Sequence, residues 1–125
     1  DRNLVVCDKI DFDVARNATL KLLEGDNRPD AILAFNDIVT YAAFDAIKAK
    51  GLRIPQDVAI IGFTDGDSAC FVPPRLTAIM DKAHEQGTKA CELLMRSING
   101  DEKIYKEVVP MILKIRESSE KQELL

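Results

Sequence analysis

Two apolar runs, Ala31-Ile32-Leu33-Ala34-Phe35 and Val58-Ala59-Ile60-Ile61-Gly62-Phe63, flank an amphipathic stretch over residues 38–50. Neither run alternates with polar residues, so both faces of each strand should be covered, as in a parallel sheet between helices. In the stretch between them, Val39, Ala42, Ala43, Ala46 and Ile47 form a sheet-facing stripe. Ile38, Tyr41 and Phe44 fall off that stripe. Asn36-Asp37 makes a polar corner before the helix and Gly51 stops it. A second polar corner, Thr64-Asp65-Gly66, follows the second run. Such a βαβ unit carries both corners to the carboxyl ends of parallel strands, where open α/β sheets bind ligands.

The flanking chain extends the same pattern. Leu4-Val5-Val6-Cys7 reads as a short buried strand, followed by a polar turn, 8–13, that carries Ile10 and Phe12. Asp11 or Asp13 is placed to cap a helix over 14–24, and Gly25 ends it. Residues 64–75 are irregular, with Gly66, Pro73 and Pro74; a strand is predicted at 76–80. Asp81 is placed to cap a helix over 82–99 whose apolar face is Ala83, Gly87, Ala90, Cys91, Leu94 and Ile98. Pro110 interrupts the apolar run 108–115, which marks an edge strand or a bulge. The polar residues 117–125 read as a fraying tail.

With 125 residues, 46% of them hydrophobic, the chain suffices for one domain with an ordinary core. The net charge of −4 and the scatter of the 17 Lys and Arg exclude a nucleic-acid surface on these residues. Three widely spaced cysteines, Cys7, Cys70 and Cys91, fit neither a disulfide framework nor a zinc site; buried thiols in a reducing cytoplasm fit better. No run approaches a membrane span, and Asp1-Arg2-Asn3 does not open a signal peptide. A strand starting at Leu4 reads as mid-domain, so the sequence has the look of a fragment.

Catalytic chemistry finds no footing. Phosphate-binding glycine motifs and a nucleophile elbow are absent. His84, the one histidine, has no placed nucleophile or metal partner, and Cys70 has no base beside it. The reading is therefore not an enzyme, with no cofactor and no metal. What stands at the strand ends is a set of short polar groups, Asp8, Asn36, Asp37, Thr64 and Asp65. They suit a hydroxyl-rich ligand, whose O–H groups they accept or bridge. Asn36 and Asp37 suit helix capping equally well, and the residue pattern leaves both readings open.

Three stretches carry a resemblance: the run from Arg28-Pro29-Asp30 through Phe35-Asn36-Asp37, the block Gly51-Leu52-Arg53-Ile54-Pro55-Gln56-Asp57-Val58-Ala59-Ile60-Ile61-Gly62-Phe63, and Pro73-Pro74-Arg75-Leu76-Thr77-Ala78-Ile79. With the closing Arg116-Glu117-Ser118, they resemble the lactose-repressor (LacI/GalR) family of transcriptional regulators. Sugar-binding periplasmic transport or sensor proteins share that fold and stand as the alternative. The Gly-Leu-Arg-Ile-Pro-Gln-Asp-Val run is closer to the repressors.

The resemblance implies an α/β fold, a three-layer α/β/α lobe of periplasmic-binding-protein type. Residues 4–80 would form mainly the C-terminal lobe, 82–99 a helix packing on a second lobe, and 105–116 a closing strand. It also implies a cytoplasmic homodimer whose cleft binds a sugar-like effector, and whose DNA contacts come from a helix-turn-helix outside these residues. Asn36 matches the family's cleft asparagine. Ile10 stands where an aromatic often stacks on the ligand, with Phe12 two residues on. Thr64 replaces the usual ligand-binding aspartate, leaving Asp65 to compensate. Asp81 falls on an interlobe segment that often contacts the effector. Tyr41, Phe44, Phe71 and Val72 would form much of the dimer face.

Overall fold

The first helix, α1 (Phe12–Leu22), begins where the Asp11 carboxylate accepts a hydrogen bond from the Val14 N–H at 3.1 Å. The computed structural model describes residues 4–64, 67–71 and 73–120. β1 (Ala31–Ala34) leads into α2 (Asp37–Ala49), and β2 (Ala59–Phe63) follows. A 3-10 turn over Asp67–Cys70 precedes β3 (Thr77–Met80), α3 (Ala83–Ile98) and β4 (Ile112–Lys114). Strand order in the sheet is β1-β2-β3-β4; the first three are parallel and β4 is antiparallel to β3. This is the expected α/β class.

The core sits between the sheet and α2. Ile47, Val58, Ile60 and Leu76 are fully buried, joined by Leu23, Ala43 and Ile54. At Gly62 the helix approaches the sheet so closely that an added methyl group would overlap the Thr40 side chain. Thr40 is itself buried and donates from Oγ1 to the Asn36 carbonyl at 2.6 Å. α1 packs on α2. Of three expected layers the described residues supply two, since the sheet face carrying Leu33 stays exposed.

Several expectations are corrected. Residues 4–7 form no strand, and Val6 is 79% exposed. An extended segment is held as a strand only by a neighbour's N–H and C=O groups. This one is separated from β1 by a groove of about 460 Å³. Phe44, expected on a dimer face, is 5% exposed and belongs to the core. It joins the cluster that holds Ile54, Ala69 and Leu76, contributed by the chain on either side of β2, so a residue off the sheet-facing stripe is buried too. Cys70 and Cys91 are exposed and Cys7 is partly so, in place of buried thiols. α3 starts after Lys82 with no side-chain cap, so Asp81 does not cap it. Of the run 108–115, only β4 pairs, because Pro110 has no N–H to give.

Residues 117–120 are held against the ends of β2 and β3, so the tail reading is corrected for them; 121–125 lie outside the described residues. Ser118 is 0% exposed and sits where the pairing of β2 and β3 begins. Its hydroxyl donates to the Ile60 carbonyl at 2.6 Å and accepts from the Thr77 N–H at 2.8 Å. Its backbone accepts from the Ile60 N–H at 2.9 Å and donates to the Arg75 carbonyl at 3.0 Å. Beside it, the Glu117 carboxylate accepts from the Arg75 N–H at 2.9 Å and from Nε at 2.8 Å. The Arg75 N–H first, and its guanidinium second, hold Glu117 below the usual carboxylate range.

Candidate functional site

At the carboxyl ends of β1, β2 and β3 lies a cavity of about 250 Å³. Phe35, Asn36, Asp37, Phe63, Thr64, Ile79, Asp81 and Met111 line it. Strand register builds this edge. Ala34 is level with Gly62, and Phe63 with Ile79, so Phe35, Phe63 and Ile79 form an apolar row across three strand ends. One residue further on, Asn36 and Thr64 begin a polar row.

Asn36 is in extended conformation (φ −154°, ψ 175°), and its Oδ1 accepts from the Val39 N–H at 2.9 Å. The capping role is therefore real. It occupies the amide oxygen and leaves the two Nδ2 donors for a ligand, so the capping and binding roles are compatible. Asp37 lies in the first turn of α2, where the helix dipole favours a carboxylate. Asp81, free of capping duty, is exposed at the rim. Thr64 is buried and donates its N–H to the Ile79 carbonyl at 3.2 Å.

Of the residues singled out from sequence, Asn36, Asp37, Thr64 and Asp81 are brought together here. Asp8, Ile10 and Phe12 do not line this cavity, because no strand pins the segment before α1 to the sheet. Asp65 lies outside the described residues, as does Val72. Phe35, Phe63, Ile79 and Met111 were not anticipated. A phenylalanine directly before Asn-Asp at a strand end was the available signal for Phe35. Met111 arrives only because β4 returns beside β3, with Ile112 level with Met80.

Larger openings, about 580 Å³ between α3 and residues 105–109, about 510 Å³ along α3 and about 460 Å³ beside β1, gather none of the strand-end polar groups. Among the described residues no group of three or more His, Cys, Asp or Glu could hold a metal ion. No described helix is long and apolar enough to cross a membrane.

Comparison with known proteins agrees with this geometry. Residues 3–119 match the model of the periplasmic binding protein-like domain. The chain is 30% identical over 119 residues, 95% of its length, to the HTH-type transcriptional repressor PurR of Vibrio atlanticus, and it spans 35% of that protein. Among solved structures, it is similar to a LacI family transcriptional regulator from Arthrobacter sp. FB24 in complex with lactose. That match has a TM-score of 0.80 at 29% identity, covering 94% of this chain and 44% of that one. The transcriptional regulator CelR–cellobiose complex gives a TM-score of 0.83 at 29% identity, covering 95% and 37%. The chain thus spans about a third of the curated relative's length.

Proposed function

Because the chain belongs to the periplasmic binding protein-like domains of LacI-type transcriptional regulators, we propose that it is the effector-binding and dimerising portion of such a regulator. In this reading a sugar-like small molecule binds at the strand-end cavity. It favours one of two states of a cytoplasmic protein whose DNA contacts are made by another segment. Only a difference in affinity for the two states is required. The observation that carries the reading is the cavity itself, which sets Asn36 and Asp81 beside an apolar row at the edge where α/β sheets bind ligands. Asp8, Ile10, Phe12 and Asp65 are assigned to the same site on the family resemblance alone.

The test is Asn36→Ala in the full-length regulator. A lost hydrogen bond that leaves a ligand group unpaired costs about 1–3 kcal/mol. Calorimetric titration with lactose, cellobiose and related sugars should show affinity falling by the matching 5- to 150-fold. Unchanged affinity with a lowered melting temperature would make Asn36 a cap alone.

Dimerisation is assigned to Tyr41, Phe71 and the adjoining Val72. Phe71 is 79% exposed, and Tyr41 is half-buried, packed against the core with part of its surface open. Exposed aromatic patches mark interfaces, and a twofold pair uses one patch twice. Sedimentation of the Tyr41→Asp, Phe71→Asp variant should give monomers. Parent-sized dimers would move the interface elsewhere.

A further inference from the structure

We propose that Phe35 is a specificity-determining residue of the strand-end cavity, selecting an unphosphorylated sugar ring that lays its C–H face on the phenyl ring; this rests on the effector-binding reading above. Phe35 is 60% exposed although it directly follows the buried Ala34. A large aromatic ring held in water forgoes the burial that its surface would otherwise provide. Its exposure is not an accident of a loose terminus, since the next residue is the cap of α2, fixed through Val39.

The ring has company. Register places Phe35 beside Phe63 and Phe63 beside Ile79, an apolar shelf running across three strand ends. Met111 adds to the same cavity. Ile10, the residue matching the family's usual stacking position, is not part of the lining. Of the two phenylalanines in the lining, Phe35 is the exposed one and Phe63 is half-buried, so Phe35 offers the larger aromatic face on this wall.

The polar groups around the shelf fix the second half of the inference. Asp37 and Asp81 are carboxylates, which accept hydrogen bonds from hydroxyls and repel anions. Among the described lining residues none is Lys, Arg or His. Asn36 Nδ2 supplies the donors. A ring with hydroxyls on its edge and C–H groups on one face satisfies the shelf and its rim together. A phosphate on that ring would face two like charges.

The experiment uses the full-length regulator and titration calorimetry. The probes are lactose, cellobiose, glucose, ribose and glucose 6-phosphate. The expected result is that an unphosphorylated sugar binds at least about tenfold more tightly than the phosphate ester. Phe35→Ala and Phe35→Leu should weaken that sugar about tenfold, while Phe35→Trp retains binding. Leucine keeps apolar volume without a flat face, so it separates stacking from burial, and a melting curve for each variant reports folding. Tighter binding of the phosphate ester, or full affinity in Phe35→Leu, overturns the proposal. If Asn36→Ala still weakens binding in that case, the cavity keeps its effector role. If neither substitution matters, or no sugar binds, the effector reading fails with it.

Discussion

Replacing Ser118 by alanine is expected to remove about 2–6 kcal/mol of folding stability. The substitution leaves the Ile60 carbonyl and the Thr77 N–H, both paired to the hydroxyl, with no partner at a site that is 0% exposed. Each buried polar group left unpaired costs about 1–3 kcal/mol. Thr77 opens the register between β2 and β3, opposite Ile61, and Ile60 stands one residue before it. The hydroxyl joins the two strands where their pairing begins. Urea unfolding should show a lower midpoint with an unchanged slope. A loss under about 0.5 kcal/mol, the range of ordinary surface changes, would mean that water replaces the hydroxyl.

The second large effect concerns α3. Expressed as a separate polypeptide, these 125 residues are expected to bind a sugar effector at least about a hundredfold more weakly than the full-length regulator. No residue of α3 is buried, and Leu94, Met95 and Ile98 are exposed. Each large aliphatic left in water forgoes about 1.5–3 kcal/mol against a typical total of about 5–15 kcal/mol. We assign this face to a second lobe. The cavity then has its other wall there, since binding pockets usually enclose about 70–90% of a ligand. Titrating both forms with the same sugar decides the matter. Equal affinity from a monomeric short form with a cooperative melt would refute the two-lobe assignment.

The βαβ unit was legible because each of its signals is local. Apolar runs give β1 and β2, Asn36 gives the start of α2, and Gly51, with φ +69°, gives its stop. What escaped depends on contacts between distant residues. Periodicity placed Phe44 off the sheet-facing stripe but could not show Ile54, Ala69 and Leu76 gathering into one cluster with it. The apolar row of Phe35, Phe63 and Ile79 exists only through strand register, which no single segment encodes. Ser118 belongs to a polar tripeptide that reads as surface, and its burial follows from filling the fork between two strands 41 residues or more away. Asp81 looked like a helix cap because local spacing fits one, whereas the chain turns into α3 one residue later.

The contact between Thr40 and Gly62 has a consequence for the thermodynamics of recognition. With only the Thr40 side chain between them, α2 and β2 cannot slide or breathe independently at that point. Asn36 begins the one element, one turn before Thr40, and Thr64 follows the end of the other. Their separation is thus fixed before any ligand arrives. A ligand settling on this wall would find its partners already in place and lose little binding free energy to ordering them. The conformational entropy of recognition would then be concentrated in whatever closes over the cavity from the other side.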